Sequence, residues 1–499
     1  MQDSVAIAGE SQPLLRPDLE QGDDCGAASE QVVDFDPSGD PENPLEWPAP
    51  FKWTIVSLLA LMAFTVTFTC ISIVPVANRI VQDLGHGQYS KSASVLLVTI
   101  WELGEAAGPL FISPLSEVLG RYPVMNTANC LFILATILAA LSQSTPVFIA
   151  ARALTGLAVA SNVLNPAIVG DMFVSEQRGS AMSLFMLTPL IGGAVGPAIS
   201  GAIAQTLGWR QVLWMSALLA VACEATFLVF FKETYKVPIL RRKAARLRQS
   251  SPEAPLKTAF DNGEARGGGK GALLESLLRP AVILADSGVL FVLSLYGSVE
   301  FAFFYIMSVT LPDILEGIYG LSPAAAGSAF MSFSIGSLLS VLLCNLTLDR
   351  IYVKLRDAHK DDGHHPEYRL PLSILGAFTF PISVAAYGWI AEHRLPLPLL
   401  LLSVGVQGVT LLLAELPLMA YVVDAFGLYS ASAMTGVIVT RCLMGTFLPL
   451  TTAPLIEHLG HGWAFTVLAG LCLLLAPTPV LVMQYGARWR QRSKYTRDA

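Results

Sequence analysis

The sequence predicts an all-α polytopic membrane protein, with twelve transmembrane helices arranged as two pseudo-symmetric six-helix bundles. Three observations predict it. Of the 499 residues, 53% are hydrophobic and only 14% charged, against ~25% charged in soluble proteins, and the mean hydropathy is +0.57. Apolar stretches long enough to cross a bilayer recur along the chain. They fall as six, a polar gap, and six more.

A hydrocarbon core ~30 Å thick needs about 20 apolar residues at ~1.5 Å rise each. Backbone polar groups inside lipid must be bonded within the segment, so the spans are expected as helices. Such stretches occupy 53–74, 92–113, 123–142, 147–170, 180–204 and 211–231, then 287–310, 324–345, 370–391, 397–421, 430–455 and 463–484. The organisation expected is a tail (1–50), a first bundle (51–231), a linker (232–286), a second bundle (287–485) and a basic tail (486–499).

The basic residues orient the spans, because Lys and Arg collect on cytoplasmic segments. With both termini inside, the inner segments hold Arg16, Lys52, Arg121, Arg178 and the runs Lys232–Arg279, Arg350–Arg369 and Arg488–Arg497. The outer loops hold only Arg79, Lys91, Arg210 and Arg394. No early apolar core follows a basic start, so no cleaved signal is expected. The tail carries Glu10-Ser-Gln-Pro-Leu14-Leu15, which fits an acidic dileucine sorting pattern, a match common by chance. Cys25 is in the tail, and the other six cysteines fall in apolar stretches, where they pack as small hydrophobes.

The linker opens with the basic stretch Arg241–Arg248, expected against anionic lipid, and continues to the glycine-rich Gly267–Gly271. A phosphate-binding loop needs GxxxxGK[ST]. Glu264 and Gly271 break that pattern, so no nucleotide is expected as a partner, and the net charge of −7 does not suggest nucleic acid. Asp361-Asp362 with His364-His365 lacks further spaced ligands and is expected to be solvated; no cofactor or metal is expected. Asn345-Leu-Thr347 fits the glycosylation sequon but sits at an inner end, where it is expected to go unused. Seven scattered histidines supply no box for a membrane enzyme.

The halves repeat weakly. At an offset of 252, Ala181-Met182 matches Ala433-Met434, Pro197 matches Pro449, and Leu207-Gly208 matches Leu459-Gly460; Asp171 and Asp424 follow at 253. Two related halves around a central site are a common transporter architecture.

Further motifs run along the chain in a fixed order. They are Asp40-Pro-Glu-Asn-Pro-Leu-Glu-Trp47 with Lys52-Trp53, then Gly108-Pro-Leu-Phe-Ile-Ser-Pro-Leu-Ser-Glu117-Val-Leu-Gly120-Arg121 between spans two and three. Arg152-Ala-Leu-Thr-Gly156 follows in the fourth span and Gly192-Gly-Ala-Val-Gly196-Pro197-Ala-Ile-Ser200-Gly201 in the fifth. Glu233-Thr-Tyr235 with Pro238, and Pro366-Glu367-Tyr-Arg369, lie in loops. In this order they resemble the signatures of the major facilitator superfamily, and within it the fungal twelve-span drug:proton antiporters, over roughly residues 40–495. The matches are to that family's start, its loop motif, its fourth-span motif, its antiporter motif (with Ser200 where glycine is usual) and its loop signatures. The resemblance implies that Gly108, Glu117, Gly120 and Arg121 form a gating latch, and that Gly192, Gly196, Pro197 and Gly201 form a bend sealing the pathway against proton leak. It also implies a functional Arg152 that pairs with a nearby carboxylate. Glu117 and Arg121 stand at i,i+4 spacing, which permits a pair.

Charges within the spans are costly, ~2.5–3.5 kcal/mol each at the bilayer centre. The chain has Glu102, Glu105, Arg152, Glu224, Glu300, Glu415 and Arg441 there. Glu102 and Glu105 share a helix face, and two close carboxyls in a poorly solvated site cannot both ionise cheaply. Glu102, Glu105, Arg152 and Glu300 are therefore the expected proton-coupling residues, with Trp101, Tyr296, Phe303 and Phe304 as cavity wall. Arg441 is a weaker counterpart of Arg152. Glu224 and Glu415 are expected near the inner face, snorkelling or paired. The function expected is export of small amphipathic organic compounds by proton antiport, from a monomer in the plasma membrane or alternatively the vacuolar or endosomal membrane. Rival readings are an uptake symporter or facilitator on the same fold, or a membrane sensor that does not transport.

Overall fold

The computed structural model describes residues 32–36, 39–85, 90–250, 257–258, 270–359 and 365–496. The dileucine match, Cys25, Gly267–Gly269, Asp361-Asp362 and His364 lie outside the described residues. Apart from a two-residue parallel pairing of Val32–Val33 with Lys257–Thr258, the described regular structure is helical.

The first six spans are Ala49–Ile71, Lys91–Leu119, Arg121–Leu141, Thr145–Leu157 continued by Ser161–Met172, Ser175–Thr206 and Trp209–Phe230. The next four are Gly288–Gly317, Pro323–Ser328 continued by Phe330–His359, Pro371–Glu392 and Leu397–Phe426. The remaining apolar stretch, Ser430–Arg490, runs 61 residues, about three times what one crossing needs. It is folded back at Gly460, whose φ of 76° and ψ of 174° are not helical. That turn separates span eleven from span twelve and completes the twelve crossings. Gly208 does the same between spans five and six with φ 91° and ψ 163°. The offset of 252 seen in the sequence is thus a repeated backbone turn, and both turns use a left-handed φ that suits glycine.

Several helices run past their expected ends. The first continues through Val74–Val76 into Ala77–Leu84, and the tenth reaches Phe426. The linker is also more structured than expected, with helices Lys236–Ser250 and Lys270–Asp286. The second of these packs on the eleventh and second spans.

Within the first bundle, spans one and five, two and four, and three and six pack together. In the second, spans seven and eleven, eight and ten, and nine and twelve do so. Among the described residues the most extensive contacts between the bundles are span two on span eleven and span five on span eight, and span seven also meets the first bundle. Small residues permit the close crossings. A Cβ on Gly104 would strike the Ala153 carbonyl oxygen, and one on Gly156 that of Trp101. Outward faces carry exposed Leu134, Leu218, Ile382 and Leu474, a surface suited to lipid.

At the end bearing the termini, the pre-span segment docks on the linker helix. Asp40 Oδ2 accepts from Lys243 Nζ at 2.6 Å, and Glu42 pairs with Arg246 at 2.7 Å. The Lys243 amine holds the Asp40 carboxyl below its ordinary range. Part of the basic stretch expected against lipid is therefore engaged by the chain's own acidic segment.

Candidate functional site

Backbone contact between spans two and four at Gly104 and Gly156 sets Glu102 and Glu105 beside Arg152. A Cβ on Gly108 would lie 2.7 Å from the Leu157 carbonyl oxygen, so this glycine serves the same packing. Glu105 is fully bonded: Oε2 accepts from Trp101 Nε1 at 3.0 Å and Oε1 from Asn162 Nδ2 at 2.6 Å. Glu102, 3% exposed, faces the other way, into the seam between the bundles. Its Oε1 accepts from Tyr305 Oη of span seven at 2.6 Å, while Oε2 has no partner. Gly445 of span eleven makes room for it; a Cβ there would lie 3.5 Å from Oε2. Tyr305 Oη also lies 3.8 Å from Cys70 Sγ of span one. One carboxylate thus meets spans seven and eleven of the opposite bundle.

Arg152, 1% exposed, does not pair with a carboxylate. Its guanidinium donates to the carbonyl oxygens of Thr69 at 3.3 Å and Cys70 at 2.9 Å, and lies over the Trp101 ring at 4.5 Å. The helix is broken after Ile71 before helical structure resumes at Val74, and a buried cation is suited to the carbonyls at that break. Trp101 packs on Phe132 and is buried rather than lining open space.

The expected aromatic wall divides. Tyr296 faces Glu300 and Glu415 inside the second bundle, and Phe303 packs edge-on against Phe380 of span nine. Phe304 instead joins Phe301, Tyr305 and Phe333 in a half-buried cluster beside Glu102. Arg441 of span eleven lies over the Phe301 ring at 4.3 Å. Glu224, 4% exposed, does not snorkel; its Oε2 accepts from Asn129 at 2.7 Å while Oε1 has no partner. Glu415 does not snorkel: it is 6% exposed and Oε1 has no partner.

In the loop motif, Glu117 is exposed and does not pair with Arg121. Gly120, at φ 103°, breaks the helix between them, so the i,i+4 spacing has no helical geometry behind it. Arg121 instead reaches Asp171 at 3.4 Å, bonds Ser116 and covers the Tyr235 ring at 4.6 Å. Glu233 caps the third span, accepting from the Arg121 and Tyr122 backbone amides at 2.9 and 3.2 Å. A side chain on Gly120 would strike that carboxylate. The second bundle repeats the arrangement: Arg369 bonds Asp424 at 2.8 Å and Asp349 at 2.6 Å, and Arg490 bonds Glu367 at 2.9 Å.

At the opposite end the bundles touch. A Cβ on Gly192 would lie 3.0 Å from the Phe64 carbonyl oxygen, and one on Gly196 3.3 Å from that of Phe68. These glycines pack span five on span one. A Cβ on Gly201 would strike the Pro323 carbonyl oxygen, and one on Gly327 that of Pro197, so the same motif also meets span eight. Beside them, Asn78 Nδ2 donates to Asp313 Oδ1 at 2.5 Å, and Lys91 stands 4.0 Å from Asp313.

Two six-helix halves meeting over a buried carboxylate define a multi-pass membrane transporter rather than an enzyme. The sequence model described as Major Facilitator Superfamily matches residues 56–449, and the chain belongs to that superfamily. It is 32% identical over 465 residues to "Efflux pump radE" of Floropilus chiversii, covering 93% of this chain and 86% of that one. It is 33% identical over 465 residues to "MFS-type transporter penM" of Penicillium rubens, covering 93% and 90%. Among solved structures, a D-xylose-proton symporter matches with a TM-score of 0.65 at 17% identity, covering 87% of this chain and 97% of that one, which shows the shared fold.

Proposed function

We propose that this protein exports small amphipathic organic compounds by proton antiport, with the two bundles rocking around the seam. The observation that carries the reading is Glu102. It is a buried carboxylate held by a donor from the opposite bundle, with one oxygen unpartnered, so its protonation is tied to how the halves sit. Glu105 and Arg152 position it through Trp101, and the Phe301–Phe304–Phe333 cluster offers a substrate an apolar face next to it. The name of one relative, "Efflux pump radE", supports export. The small-residue contacts of Gly192, Gly196, Pro197 and Gly201 support a tight seal at the far end. Arg121, with Glu117 and Gly120 next to it in the chain and Gly108 packing the same helix on span four, belongs to the gating end, which we place in the cytoplasm with both termini of a plasma-membrane monomer.

The driving force suffices. One proton crossing ~100 mV gives ~2.3 kcal/mol and each pH unit adds ~1.4 kcal/mol. Across two pH units the total is ~5 kcal/mol, enough for more than about a thousandfold gradient of a neutral compound.

The test is reconstitution in liposomes under an imposed proton gradient, following rhodamine 6G and a panel of labelled amphipathic compounds. Gradient-driven movement that Glu102→Gln abolishes is the expected result. Movement that ignores the gradient in wild type and variant alike leaves a facilitator on the same fold.

A further inference from the structure

Inside the second bundle lies a set of buried polar groups that the seam site does not use. Glu300 of span seven is 1% exposed, and neither carboxylate oxygen has a hydrogen-bond partner. Glu415 of span ten faces it. A Cβ on Gly297 would lie 3.6 Å from Glu415 Oε1, and Gly297 stands three residues before Glu300 on the same helix face. Tyr296, fully buried beside both, has its hydroxyl near Glu300 and Ser373 but in no hydrogen bond of normal geometry. The other groups facing this cluster are Ser373 of span nine, Arg441 of span eleven and Cys472 of span twelve.

An unpaired carboxylate this deep carries the full cost of desolvation. A proton removes the charge and makes one oxygen a donor, which gives a neighbouring carboxylate or hydroxyl oxygen its missing bond. We propose that Glu300 and Glu415 form a second proton-binding site, confined to the second bundle and tied to the seam site through Arg441. The inference rests on the proton-coupled reading of Glu102.

Arg441 is the link because it faces both sites, Glu415 on one side and Glu102 and Glu105 on the other. It makes no ion pair or side-chain hydrogen bond among the described residues, and the Phe301 ring holds it between them. One guanidinium balances one carboxylate. Glu102 and Glu415 therefore compete for it, and whichever lacks it holds a proton. Glu300 faces no cation, so its proton does not depend on where Arg441 sits. A movement of span eleven that carries Arg441 across the seam thus exchanges proton occupancy between the bundles without leaving a bare charge in either.

The experiment is pH-difference infrared spectroscopy of the full-length protein in liposomes, reading the C=O stretch of protonated carboxyls, with no substrate needed. Wild type is expected to show two sets of bands at neutral pH. Glu300→Gln and Glu415→Gln each remove or alter one set, Glu102→Gln removes the other, and Arg441→Gln changes both. Glu300→Asp, which keeps the acid, moves its band instead of deleting it and covers the case in which a Gln variant fails to fold. If Glu300→Gln and Glu415→Gln leave every band in place, or if Glu102→Gln alone removes them all, the second site is overturned and the seam site stands. If wild type shows no protonated carboxyl at neutral pH, both fall together.

Discussion

The Tyr305 hydroxyl donates to Glu102 Oε1 at 2.6 Å, a bond between residues 203 positions apart that joins the two bundles at the depth of the candidate proton site. Tyr305→Phe keeps the ring and its contacts with Phe301 and Phe304 but takes away the donor. Leaving a buried acceptor unmet costs ~1–3 kcal/mol. Proton-driven transport in liposomes is expected to fall about tenfold or more, with the folded fraction on size exclusion unchanged.

The far-end seal rests on backbone contact. Gly201→Leu forces span five off Pro323 and is expected to cost ~1–3 kcal/mol as overpacking, read as a lower unfolding midpoint. Gly193→Leu is the control: its nearest neighbour is a Thr67 methyl at 4.0 Å, and its midpoint should barely move.

Arg490 and Glu367 are both buried, with side chains 8% and 5% exposed. Arg490→Ala strands the Glu367 carboxylate, a loss of ~3–5 kcal/mol. Arg246→Ala breaks an exposed pair worth ~0–1 kcal/mol. Thermal unfolding of the two variants side by side should show a large drop for the first and almost none for the second.

Docking of the pre-span segment has a pH dependence of known sign. Hydrogen bonding from Lys243 lowers the folded-state pKa of Asp40 below its value in the free segment. The stabilisation is fully present above the free value and is lost as pH falls through the folded one. Limited proteolysis should therefore find the segment protected at neutral pH and cleaved faster in acid. Lys243→Gln should abolish that pH response.

Much of this was legible in the sequence because the bilayer imposes simple rules. Apolar length gave the spans, and the cost of charge in lipid singled out Glu102, Glu105 and Glu300. Partners were not legible: Tyr305, Cys70 and Asn162 reach the site from other helices, and no local spacing encodes such a meeting. Glu415 was misplaced for a geometric reason. Its helix runs to Phe426 rather than 421, so the carboxyl lies ~16 Å from that end instead of ~9 Å, too deep to snorkel. Glu117 and Arg121 looked paired because i,i+4 spacing presumes a continuous helix, and Gly120 interrupts it. Arg152 looked like a carboxylate's partner, yet the Thr69 and Cys70 carbonyls at the break in span one hold it.

The contacts of Gly201 with Pro323 and of Gly327 with Pro197 are made main chain to main chain, the nearest atoms on each side belonging to the backbone. Such a surface works as a bearing, not a bolt. Rolling span eight over span five there breaks no hydrogen bond and separates no charge. Among the described residues, the polar contacts between the bundles at this end gather on Asp313, which meets Asn78 and Lys91, and their stiffness can be tuned by exchanging those residues without recutting the bearing itself.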